Sequence, residues 1–222
     1  MAFNIAIDGP AGAGKSTIAK RVAKELSYIY VDTGAMYRAM ALYFLRKGIQ
    51  PEDETAISAA CDEITVSLSM EHGEQQVFLN GENVNSFIRT EEVGKITSAV
   101  SVYGKVRQKL TQLQRDLAEH TDLIMDGRDI GTCVLPKAQV KIYLTASVET
   151  RGKRRFLELQ EKGAVCEMEQ ICEDIRGRDE QDMNRKISPL KQAEDAILID
   201  SSEMTIDEVV DRILGIVEEK CR

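Results

Sequence analysis

An α/β architecture built on a parallel sheet follows from three features of these 222 residues. Short, continuously apolar runs alternate with amphipathic stretches of helical period. A glycine-rich loop joins the first run to the first such stretch, and a single segment alternates apolar with polar residues. The apolar runs are 3–8, 28–32, 123–126, 140–144 and 196–200. Their lack of alternation marks strands covered on both faces, which predicts a five-stranded parallel sheet between helical layers.

The helices expected among these strands are 16–26, 35–46, 102–118, 148–162 and 206–219. Segment 63–70 breaks the rhythm, with Ile64, Val66, Leu68 and Met70 set against Thr65, Ser67 and Ser69. A turn at 71–74, a second run at 75–79, the hairpin dipeptide Asn80-Gly81 and a short run at 82–84 follow. Together they predict a small antiparallel sheet with one wet face. The expected organisation is therefore a core of 1–61 and 101–222, a lid at about 148–165, and an insert at 62–100.

Composition narrows the function. Apolar residues make up 43% of the chain, enough for a core. The 29 Lys and Arg against 37 Asp and Glu leave a net charge of −8, which argues against a nucleic-acid coat protein. With six Tyr, five Phe and no Trp there is little material for stacking single-stranded bases. The acidity is concentrated at 194–222, and nine of the fifteen Arg fall between Arg107 and Arg185, so a local anion site belongs there. No apolar run reaches membrane length, and the start lacks the pattern of a signal peptide. Cys61, Cys133, Cys166, Cys172 and Cys221 form no C-x-x-C pair, and only His72 and His120 accompany them, so reduced thiols rather than a zinc site are expected. These features point to a cytoplasmic protein.

Gly9-Pro10-Ala11-Gly12-Ala13-Gly14-Lys15-Ser16 is a complete phosphate loop, G-x-x-x-x-G-K-[ST], and it follows a strand and opens a helix as the motif requires. Its glycines let backbone N–H groups converge on phosphate oxygens at the positive end of a helix. Lys15 would reach the terminal phosphates and the Ser16 hydroxyl would ligate Mg²⁺. Asp126 ends an apolar strand, where it either serves Mg²⁺ or caps the following turn. Asp32 and Thr33 either cap the next helix or join a ligand site at the strand end, whereas capping does not account for Arg38, one turn further on.

Arg128 and Asp129 place a donor fork beside an acceptor; they suit a phosphate and an exocyclic amine, or an internal salt bridge. Arg151, Arg154 and Arg155 share a helical face as a lid over polyphosphate or as a solvated face, with Glu158 placed to pair with Arg154. Arg178, Asp182 and Arg185 lie at i, i+4 and i+7, fitting a ribose hydroxyl flanked by phosphate or base, or a self-satisfied ladder. A second set of arginines beside a phosphate loop favours phosphoryl transfer to an anionic acceptor. A nucleoside monophosphate is the natural candidate: its second pKa near 6 makes it a nucleophile without a general base.

The segments IAIDGPAGAGKST (5–17), VDTGAMYRAMAL (31–42), IMDGRDIGT (124–132), KIYLTAS (141–147), LELQEKG (157–163), RDEQDMNR (178–185) and ISPL (187–190) resemble the bacterial cytidylate kinase family, in that family's order and over essentially the whole chain. The 62–100 insert resembles the family's substrate-side subdomain. The resemblance implies a P-loop NTPase three-layer fold with a five-stranded parallel sheet, a small antiparallel substrate-binding insert and a helical lid. It implies phosphorylation of CMP or dCMP with ATP and Mg²⁺ by a monomer that uses neither nucleic acid nor membrane.

By position, the resemblance assigns Gly9 through Ser16, Thr17 and Arg154 to ATP, and Ser16 and Asp126 to the metal. It places Arg38, Arg128 and Arg185 around the acceptor phosphate. Ser98, Arg107 and Asp129 fall at the cytosine edge, Thr33, Arg178 and Asp182 at the pentose, and Tyr37 on the acceptor side. Lys15, Arg128, Arg151, Arg155 and Arg185 are the expected catalytic charges. Two departures stand out. Thr33 replaces the Ser of some members, and Gly152 interrupts the lid helix at a cost of about 1 kcal/mol against Ala, which predicts a looser lid. The rivals are a broader UMP/CMP kinase, a kinase of another small acid, and a nucleotide-dependent switch. The switch needs no second anion site, and a GTPase would carry an N-K-x-D reader that this sequence lacks.

Overall fold

Ile5, Ala6 and Ile7 are fully buried, as are Ile124 and Met125 beside them, because parallel strands are covered on both faces. The computed structural model describes residues 2–71, 73–161 and 163–221. Met1, His72, Lys162 and Arg222 lie outside these, and with them part of the expected 71–74 turn and the last residue of the expected 148–162 helix. The chain divides into two compact units: Tyr30–His120, and Ala2–Ile29 together with the residues from Thr121 on.

In chain order the elements are β1 (Asn4–Asp8), α1 (Lys15–Leu26), β2 (Ile29–Asp32), α2 (Thr33–Arg46), α3 (Glu54–Ala60), β3 (Val66–Glu71), β4 (Glu74–Leu79), β5 (Glu82–Asn83), α4 (Glu91–Val100), α5 (Gly104–His120), β6 (Leu123–Gly127), β7 (Val140–Thr145), α6 (Val148–Glu161), α7 (Met168–Asn184), β8 (Ile197–Asp200) and α8 (Ile206–Cys221). The five-stranded sheet has the order β2-β6-β1-β7-β8. β1 runs parallel to both β6 and β7, with Asp8 level with Gly127 on one side and Tyr143 on the other. β7 pairs in parallel with β8, Thr145 opposite Asp200. This register brings the C-terminal ends of the strands to one edge, where open α/β sheets bind ligands. α1 packs Ile18, Ala19, Val22 and Ala23 into the core.

In the Tyr30–His120 unit, α2 is apolar nearly all round, and Met36, Met40 and Phe44 are fully buried. The Asp32 carboxylate caps it by accepting from the Ala35 amide at 2.9 Å. The smaller sheet is antiparallel, ordered β3-β4-β5. Asn80 and Gly81 both have positive φ, +50° and +86°, so the two-residue turn between β4 and β5 matches the twist of its strands. Its exposed face is wider than the alternation suggests. Val66 is buried but Met70 is 39% exposed, because the core covers only one end of the hairpin.

The expected strand 63–70 begins three residues later, at Val66, since Cys61–Glu63 form a 3-10 turn. Three further helices emerge as whole elements. α3 and α4 are capped by Asp53 and Thr90, and α7 runs far beyond the Arg178–Asp182 stretch that signalled it. Arg185 is not the last rung of that helix. It follows the end of α7 with extended backbone, φ −63° and ψ 140°.

Candidate active site

Within the Ala2–Ile29 and Thr121-onward unit, the phosphate loop starts where β1 ends. A Cβ on Gly9 would lie 1.9 Å from the Leu144 carbonyl oxygen, so only glycine fits between the two strands. Lys15 is buried, and its Nζ donates to the Pro10 carbonyl at 2.7 Å. Burial lowers its pKa to about 7, helped by the Arg128 charge, while Asp126 and Asp8 oppose the shift. Ser16 Oγ donates to Asp126 Oδ2 at 3.0 Å, so a hydroxyl and a carboxylate converge beside Lys15.

Asp8 lies in the same unit. Its two oxygens accept from the Ile130 and Gly131 amides at 2.8 and 2.7 Å, anchoring the helical turn after β6. Burial raises its pKa to about 6 despite those two hydrogen bonds. Beyond β6, Arg128 Nε donates to Asp182 Oδ2 at 2.8 Å. The Arg185 guanidinium lies 3.4 Å from Asp129 Oδ1 and 3.5 Å from Asp182 Oδ1, and its Nε donates to the Ser188 carbonyl. Two arginines and two carboxylates thus form one network, in which Asp129 faces Arg185. Arg178 is exposed on α7.

The three arginines of α6 do not stack as one cationic face. Arg151 is buried and pairs with Asp179 of α7 at 2.7 Å. Arg154 donates to the Ser201 carbonyl at 2.9 Å and reaches the Ala13 carbonyl at 3.5 Å. Arg155 is exposed and pairs with Glu158 at 2.9 Å. Their mutual repulsion is relieved by sending each to a different acceptor. Gly152, buried beside Arg151, is no helix defect. A Cβ there would come within 2.6 Å of Cys172 Sγ, so the glycine is what lets α6 and α7 approach.

A cleft of about 130 Å³ opens beside the loop, lined by Gly14, Thr17, Ile18 and Arg154 on one side and by Ser201, Met204, Ile206 and Val209 on the other.

The Tyr30–His120 unit carries a second cluster. Asp32 Oδ2 lies 3.2 Å from Arg38 and 3.1 Å from Arg89. Gln75 of β4 brackets the Asp32 backbone, accepting from its N–H at 2.9 Å and donating to its carbonyl at 3.2 Å. Thr33 is buried at the first turn of α2. Buried Arg107 lies over the Tyr37 ring, 5.5 Å from its centroid, and donates to the Ser101 carbonyl at 3.1 Å. Ser98 is half-buried on α4.

Sequence reasoning passed over Asp8, Asp179, Arg89 and the Ser201–Val209 wall. Asp8 had a legible signal, since it ends an apolar strand as Asp126 does. The others had none, because their partners lie far away in sequence.

Among the described residues, no group of three or more His, Cys, Asp and Glu could hold a metal ion. None of the described helices is long and apolar enough to cross a membrane.

A phosphate loop with lysine and serine in place, on a parallel sheet whose edge also gathers arginines, defines a P-loop kinase. Solved structures agree on the fold. Shikimate kinase from Bacteroides thetaiotaomicron superposes with a TM-score of 0.51 at 13% identity, covering 97% of this chain and 98% of that one. The enzyme from Acinetobacter baumannii, bound to shikimate, gives 0.50 at 16% identity, covering 99% and 94%. Sequence is more specific. The family model for cytidylate kinase matches residues 5–219. The cytidylate kinase of Bacillus licheniformis is 52% identical over 219 residues, 98% of this chain and 97% of that protein. That of Lactobacillus johnsonii is 51% identical over 218 residues, 98% and 95%. The chain belongs to the cytidylate kinase family, whose members are nucleoside monophosphate kinases using ATP as phosphoryl donor.

Proposed function

We propose that this protein, as a cytoplasmic monomer, transfers the γ-phosphoryl group of ATP to CMP or dCMP, giving ADP and CDP or dCDP. The observation that carries the reading is the second arginine set. Arg128 and Arg185, held over Asp182 and Asp129, supply two guanidinium groups for an acceptor phosphate in the unit that carries the phosphate loop. The relatives' name supplies the base, and the five free cysteines suit a reducing compartment.

Mg²⁺ fits the residues present. Ser16 Oγ and Asp126 Oδ2 offer one hydroxyl and one carboxylate, the sparse protein set of an ion that otherwise keeps waters and phosphate oxygens. Bound there, it would neutralise charge developing on the transferred group. A bound polyphosphate would favour the charged form of Lys15, which would face the same oxygens.

The CMP phosphate is already ionised at neutral pH, so no side chain takes a proton from it. Alignment and positive charge from Lys15, Arg128 and Arg185 do the work. On the family resemblance we assign Asp129 to the cytosine amine, and Ser98 and Arg107 of the Tyr30–His120 unit to base recognition. Arg38 goes to the acceptor phosphate, Thr33, Arg178 and Asp182 to the pentose, and Tyr37 to the support of Arg107. The cleft between Arg154 and Met204 is assigned to adenine, residues 148–165 to the lid and 62–100 to the acceptor-side insert.

The test is ADP release with ATP and Mg²⁺ against CMP, dCMP, UMP, AMP and shikimate. Turnover confined to CMP and dCMP is expected. Equal turnover with UMP would remove the base-reading roles, and release independent of any acceptor would remove the kinase.

A further inference from the structure

Arg151 is placed differently from the two arginines that follow it on α6. We propose that Arg151 and Asp179 form a positioning pair that couples the phosphate loop to α7; the proposal rests on the kinase reading above. All three guanidinium nitrogens of Arg151 are engaged inside the protein. Nε donates to the Ala146 carbonyl at 2.8 Å, Nη1 to the Ala11 carbonyl at 3.0 Å, and Nη2 lies 2.7 Å from Asp179 Oδ2. Its stem packs under the loop as well, since a Cβ on Gly12 would lie 3.3 Å from Arg151 Cβ. One buried side chain therefore carries the Ala11–Gly12 turn and is bonded to α7 at the same time.

The other end of the pair is equally committed. Asp179 is buried, and its Oδ1 has no hydrogen-bond partner among the described residues, so Arg151 is what holds the carboxylate. Three residues on, one turn along the same face of α7, Asp182 binds Arg128 and Arg185. A continuous chain of contacts thus runs from the Ala11 carbonyl through Arg151, Asp179 and the first turn beyond it to the arginines assigned to the acceptor phosphate. A buried ion pair adds little net stability, because desolvation offsets attraction, but it is strict about geometry. Filling the loop with polyphosphate re-seats Ala11, and the pair passes that setting to α7. Arg151 and Asp179 act through these neighbours and touch neither substrate.

The experiment is calorimetric titration of the intact protein with a non-hydrolysable ATP analogue and Mg²⁺, with and without saturating CMP, for wild type, Asp179→Asn and Asp179→Ala. In the wild type CMP tightens the analogue about tenfold, within the ordinary range of site–site coupling. Asp179→Asn, which keeps the shape and one acceptor, lowers that ratio, and Asp179→Ala brings it close to one. Affinity for the analogue alone moves by less than about threefold, because Arg151 keeps its bonds to Ala11 and Ala146. Circular dichroism reports folding, and if Asp179→Ala does not fold, Asp179→Asn decides alone.

A merely structural role would weaken both ligands in parallel and leave the ratio intact, and that result overturns the pair. So does a wild-type ratio of one in a protein that turns over CMP. Absence of CMP turnover by the wild type overturns the kinase reading and the pair with it, and the turnover assay reports it separately.

Discussion

Replacing Gly152 with alanine sets two well-understood effects against each other. In the middle of α6, alanine is favoured over glycine by about 1 kcal/mol, since it removes backbone freedom from the unfolded chain. The new Cβ, however, would stand 2.6 Å from Cys172 Sγ, with Met168 Sδ at 3.5 Å behind it. Ordinary contact begins near 3.5 Å, and Cys172 is only 8% exposed, so the sulfur cannot simply swing into water. Overpacking of this kind costs about 1–3 kcal/mol, so Gly152→Ala should lose about 1 kcal/mol net. In a Cys172→Ala background the obstacle is gone, and the same substitution should gain about 1 kcal/mol, a coupling of about 2 kcal/mol between the two sites. Urea unfolding of the four proteins of the cycle, followed by far-ultraviolet circular dichroism, measures it. If Gly152→Ala stabilises the wild type as much as it stabilises the Cys172→Ala protein, the close approach of α6 and α7 is not what holds this glycine in place.

Lys15 predicts a proton count. With its pKa lowered to about 7 by burial, it is mostly neutral at pH 8, and a bound polyphosphate raises it again, so MgATP binding at pH 8 should take up close to one proton. Calorimetry in buffers of different ionisation enthalpy reads this directly, and zero uptake would contradict the buried, neutral lysine. Asp8 predicts a pH-dependent stability. Its folded pKa of about 6 exceeds the ordinary 3.8, so its contribution is full below pH 3.8 and is lost as the pH rises through 6. Relative to Asp8→Asn, the wild type should lose about 2 kcal/mol between pH 4 and pH 7; parallel stability profiles would refute the burial argument. Asp129→Ala should raise the CMP KM about tenfold or more while changing that for ATP little, and equal effects on both would remove Asp129 from base reading.

The parallel core was legible because its strands are short, continuously apolar and punctuated by turns and helices. Burial on both faces demands that pattern wherever the strands are placed. The phosphate loop was legible for a similar reason: its glycines, lysine and serine act through local backbone geometry, which neighbouring residues alone determine. Asn80-Gly81 set the hairpin turn in the same local way. Helices α3 and α4 escaped notice because each is brief and takes its stability from packing rather than from a long amphipathic stripe.

Where each charge goes is set by the packing of the fold. Arg151, Arg154 and Arg155 look equivalent on a helical face. Yet Arg151 meets Asp179 of another helix, Arg154 meets the Ser201 carbonyl, and only Arg155 finds its partner within its own helix. Arg185 appears to be the next rung of α7 until the backbone turns extended after Asn184 and brings it to Asp129, 56 positions away. Gly152 looks like a flaw in a helix until Cys172 is seen against it. Periodicity and local motifs are written along the chain, so the sheet and the glycine-rich loop could be read from it directly. An ion pair or a close helix contact joins residues that chain order does not relate, so their pairing had to wait for the fold.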